Sequence, residues 1–129
     1  MQHDTKKIKR LVREFKAKAH ERELQREFTQ LDQEFARWRA GALSSGELGI
    51  IVEEFAKGPL HELFQLYNSN LFEMNVAYAV ATGILTREDL PPELLAVLDQ
   101  IIAHYQTMQD QGELLTPAER IRQEKRQRR

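Results

Sequence analysis

Apolar side chains recur along this chain at helical spacing, and glycines, prolines and capping residues divide the pattern into segments. Between Asp4 and Ala40 there is no glycine or proline. Lys, Arg, Glu, Gln, Ala and Leu dominate the stretch, and all are good helix formers. One helix over 4–40 is predicted, with Asp4 or Thr5 at its start and Gly41 where it stops. Its apolar positions form two stripes. Ile8, Leu11, Val12, Phe15 and Ala19 make the first; Leu24, Phe28, Leu31, Phe35 and Trp38 make the second. At about 100° per residue the two stripes point about 165° apart. Either the helix breaks near His20–Glu23, or it is continuous and its halves face different partners. No local residue favours a break. The continuous form is therefore preferred, with the second half on the bundle and the first half projecting toward a second subunit.

The next segments are strongly punctuated. Ser44 and Glu47 have the spacing of a capping box, flanked by Leu43 and Leu48 at the positions of a hydrophobic staple. Leu48, Ile51, Val52 and Phe55 follow as a core-facing stripe. Gly58 is expected to supply a left-handed stop to a helix over 44–57, and Pro59 to open the next. The stripe from Leu60 to Ala81 keeps helical phase through Asn68, Ser69 and Asn70. It predicts one helix over 59–82, with two shorter helices as the alternative because those three residues are poor helix formers. Val76 to Thr82 is apolar nearly all round, as in a buried helix, and Gly83 ends it. Ile84 and Leu85 are expected to plug the core. Pro92 opens a helix to residue 109 with Leu94 or Leu95, Leu98, Ile101, Ile102, Tyr105 and Met108 on one face. Thr116, Pro117 and Glu119 cap a weak basic helix over 117–127 whose small apolar content predicts fraying.

The fold class is thus all-α: a bundle of about four principal helices, with a long, partly projecting N-terminal helix and a weak basic C-terminal helix. The expected organisation is a basic amphipathic extension at 1–23, a bundle core at 24–112 and a basic mobile tail at 113–129. At 129 residues the chain is long enough to bury one core without staples. It has no cysteine, which removes disulfides and thiolate metal sites and suits a reducing compartment. No apolar run approaches the about 20 residues of a membrane span, and no signal-peptide core opens the chain. A cytoplasmic location is the expectation.

Charge is segregated although the net charge is only −1. Residues 1–26 carry nine Lys and Arg against four Asp and Glu, 41–116 carry two against eleven, and 117–129 carry six against two. Basic ends on an acidic middle bind polyanions or pair with acidic protein surfaces. Lys6, Lys9, Arg10, Arg13 and Lys16 lie opposite the first apolar stripe and are the candidates for polyanion binding.

Catalytic motifs are incomplete. His61 and Glu62 begin a His-Glu-x-x-His zinc pattern, but Gln65 stands where the second histidine belongs, and glutamine is a poor zinc ligand. No Glu-x-x-His pair of the di-iron bundles occurs. A Gly-rich phosphate loop and a nucleophile elbow are also missing. No catalytic residue, metal or cofactor is therefore expected. The functional expectation is a non-enzymatic protein-protein interaction module, homodimeric through Ile8, Leu11, Val12, Phe15 and Ala19. The alternative is a nucleic-acid-associated protein that uses its basic arms.

Overall fold

The computed structural model describes residues 5–68 and 71–112, and every regular element among them is helical. Helix α1 spans Thr5–Arg39 without interruption. It ends in a Schellman turn. Gly41 takes φ 81°, the Ala42 amide donates to the Arg37 carbonyl at 2.9 Å, and the Gly41 amide donates to the Trp38 carbonyl at 3.0 Å. Left-handed backbone of this kind favours glycine because a Cβ would crowd the preceding carbonyl.

Helix α2, Ser45–Phe55, starts with the expected reciprocal cap. The Glu47 amide donates to Ser44 Oγ and the Ser44 amide donates to Glu47 Oε1, both at 3.0 Å. The expected stop at Gly58 does not form. Among the described residues only Gly41, Gly83 and Gly112 have positive φ, whereas Gly58 is buried inside a π-helical turn, Ala56–Leu60. That turn leads directly into α3, His61–Tyr67. Pro59 explains it. Proline has no amide for the carbonyl one α-turn earlier, and its ring would strike that carbonyl. A wider i→i+5 turn makes room for the ring while the helix continues.

The helix expected over 59–82 divides. Helix α3 ends at Asn68, whose side-chain amide donates to the Phe64 carbonyl at 2.7 Å. Asn75 likewise donates to the Leu66 carbonyl at 3.2 Å, so residues that compete with helix satisfy the broken ends. Helix α4, Phe72–Ala81, closes on Gly83 at φ 82° in a second Schellman turn. Ile84 and Leu85 then insert into the core at 2% and 0% exposure. A 3₁₀ turn, Arg87–Asp89, precedes α5, Pro92–Asp110, which buries Leu94, Leu98 and Ile102. The predicted helix over 117–127 and the tail from 113 lie outside the described residues. No described helix is long and apolar enough to cross a membrane.

The largest correction concerns α1. Ile8, Leu11, Val12, Phe15 and Ala19 do not project: all five are at most 9% exposed and belong to one core with residues of α3, α4 and α5. Residues 5–23 are thus part of the bundle, and no boundary falls at 23. The physical reason is that α3 ends at Tyr67 and α4 begins at Phe72, and α4 and α5 then pack on the first half of α1 and cover its apolar stripe. Polar links fix the arrangement: Lys7 pairs with Glu93 at 2.7 Å, and Arg22 with Asp89 at 2.8 Å. The second half of α1 packs beside α2 as an antiparallel hairpin.

Candidate functional site: the hairpin and two charged grooves

Two helices do not cover each other's apolar stripes, each of which is roughly 100° wide or more. The α1–α2 hairpin displays the consequence. Phe28 packs against Phe55 with ring centroids 5.2 Å apart, yet Phe28 remains 47% exposed. Trp38 meets Phe35 edge-on and donates from Nε1 to Ser45 Oγ at 3.1 Å, yet it remains 40% exposed. Val52 is also exposed, and Ile51, Leu31 and Phe55 are only partly covered. These residues were expected to be core. They are the most open apolar seam on α1.

One flank of the seam is a groove of about 250 Å³ with Leu31, Ile51, Phe55 and Pro59 as its apolar lining and Glu27, Glu34 and Glu54 around them. A second groove, of about 390 Å³, lies where α1 meets the start of α4. Here Lys9 and Arg13 stand beside Leu71, Phe72 and Met74, of which Leu71 and Met74 are 56% and 42% exposed. The Lys16 ammonium rests 4.3 Å from the Phe72 ring centroid, a cation–π contact that holds the basic side chain against the groove. Of the five predicted polyanion-binding residues, Lys6, Lys9, Arg10 and Arg13 are exposed and Lys16 is half-buried.

Between the grooves α3 packs on α1, and a polar cluster that the sequence did not reveal marks the contact. Glu23 and Glu27 are 1% and 2% exposed. The Tyr67 hydroxyl donates to Glu23 Oε2 at 2.5 Å, and the His20 ring stacks on Tyr67 at 4.9 Å. Burial, then the adjacent Glu23 carboxylate, drives the Tyr67 phenol far above its usual range, so it stays protonated and donating. Burial, with the Lys16 charge adding to it, lowers the His20 pKa and favours neutral imidazole. His20 Nε2 has no hydrogen-bond partner among the described residues. The missed signal was spacing. Phe15, Ala19, Glu23 and Glu27 follow one another at intervals of four, a row that drifts about 40° per step and carries the buried face of α1 from the first apolar stripe round to Glu27.

His61 and Gln65 both sit exposed on α3. Among the described residues, no three His, Asp or Glu side chains converge as a metal-binding group. No protein-family model, curated protein or solved structure matches this chain.

Proposed function

We propose that this chain is a non-enzymatic protein-protein interaction module that assembles with a second copy of itself, using the α1–α2 hairpin as its docking face. The supporting observation is the open hairpin seam, where Phe28, Trp38 and Val52 stay between 37% and 47% exposed. A second copy is the favoured occupant because each copy carries both an acidic and a basic apolar surface, so the partner chemistry is present in the chain itself. Burial of the seam supplies the drive at about 25 cal/mol per Å² of apolar surface.

The full-length protein is therefore expected to sediment at twice the chain mass at micromolar concentration. A Phe28→Ser/Ile51→Ser double variant, which alters both flanks of the seam, is expected to sediment at once the chain mass and remain helical. A wild-type monomer across the accessible concentration range, or a double variant that stays dimeric, contradicts this function.

Nucleic-acid association ranks second, favoured by the exposed row of Lys6, Lys9, Arg10 and Arg13. It ranks below self-association because Lys7 is paired with Glu93, Lys16 packs on Phe72, and the acidic hairpin repels phosphates. DNA or RNA binding that weakens steeply with salt would reverse this order.

A further inference from the structure

The two charged grooves are related by the geometry of α1. Lys9, Arg13 and Lys16 precede Glu27, Leu31 and Glu34 by 18 residues each. At 3.6 residues per turn, 18 residues make five turns, so corresponding positions share an angular sector of the helix about 27 Å apart. The basic and acidic grooves therefore use the same side of α1. Their apolar parts are of similar character: Leu71, Phe72 and Met74 in one, and Leu31, Ile51 and Phe55 in the other. Charge separates along the same axis. Residues 5–22 hold eight Lys and Arg against two acids, while 23–57 hold four against seven.

From this complementarity, and resting on the self-association reading above, we infer that the grooves dock on each other between copies. The Lys9–Arg13 groove of one copy receives the Glu34–Glu54 groove of a second, and the second contact is made reciprocally. Such pairing is isologous, because a two-fold axis brings each groove to the other and leaves neither unused. For copies of α1 laid antiparallel, the axis passes between residues 21 and 22, since 9 + 34 and 13 + 30 both equal 43. Helix α3 packs on α1 at that position through Tyr67, which contacts His20 and Glu23, and Phe64 of the same helix is 59% exposed. The opposed charges steer encounter and set the register, while the apolar linings hold the pair together. Parallel pairing places like charges together and is disfavoured.

The test is a charge exchange read by sedimentation velocity on full-length protein, with circular dichroism to verify folding. Lys9→Glu/Arg13→Glu makes both grooves acidic; Glu34→Lys/Glu54→Lys makes both basic. Each variant alone is expected to dimerise at least ten-fold more weakly than wild type. An equimolar mixture is expected to regain dimers, because both contacts are again between opposite charges. If wild type dimerises and the Lys9/Arg13 variant does so equally well, groove-to-groove docking is overturned while self-association stands. Folded variants that remain monomeric in the mixture overturn it as well. A monomeric wild type removes both this inference and the function it rests on. Lys9, Arg13 and Glu54 are exposed, so the Lys9/Arg13 variant keeps the test decisive should replacement of the half-buried Glu34 disturb its pair with Arg37.

Discussion

Phe15→Glu is expected to unfold the protein. Phe15 is 3% exposed and lies in the core shared by α1, α3, α4 and α5. Removing a buried phenylalanine ring typically costs about 3–5 kcal/mol, and a buried carboxylate without a partner adds a further penalty. Small domains are stable by only about 5–15 kcal/mol in total, so the variant should lose most of its helical signal at room temperature. Had the first half of α1 projected, the same substitution would have left the fold intact and affected only association. Far-UV circular dichroism with thermal melting separates the two cases. A Phe15→Glu variant with a wild-type melting curve would contradict burial of Phe15 in the shared core.

Tyr67→Phe carries the second large effect. Tyr67 is 1% exposed, and its hydroxyl is a donor to a carboxylate that is itself 1% exposed. The substitution keeps the ring, its stack on His20 and nearly all of the volume. It removes one donor from Glu23. A buried polar group that loses one of its hydrogen bonds costs about 1–3 kcal/mol, and charged groups lie toward or beyond the upper end. The expected result is a fall in stability of that size by urea titration with the helical content unchanged. Tyr67→Phe combined with Glu23→Gln should recover part of the loss, because the carboxylate charge is gone. A single variant as stable as wild type would show that the hydroxyl bond contributes nothing.

Local punctuation was legible in the sequence, and orientation was not. Gly41, Ser44, Glu47, Gly83 and Pro92 act within a turn or two of their own position, and each does what its chemistry predicts. Gly58 and Pro59 misled because the pair also fits a π turn, whose use depends on whether the helix is held on both sides. Asn68 signalled weakness in a helix, but its role as a break followed from where α4 and α5 had to go. The two stripes of α1 looked equivalent as patterns. Residues more than 50 positions away decide which one the bundle covers, and periodicity within α1 does not contain that information. Glu23 and Glu27 were hidden for another reason. Glutamate is a good helix former that usually solvates, so its place on the buried row of α1 carries little weight in the sequence alone.

The two halves of α1 therefore differ from expectation: the first is sealed in the bundle, and the second keeps Phe28 and Trp38 exposed. Because the chain has no cysteine, single substitutions supply clean probes of both statements. Ala19 is fully buried and Ile51 lines the acidic groove. The most direct measurement is the rate at which a thiol reagent labels Ala19→Cys and Ile51→Cys as protein concentration is raised. Ala19→Cys is expected to label slowly at every concentration, while Ile51→Cys is expected to label readily in dilute solution and to become protected as copies associate. Fast labelling of Ala19→Cys in dilute protein, with protection appearing only on concentration, would contradict this and return the interface to residues 8–19.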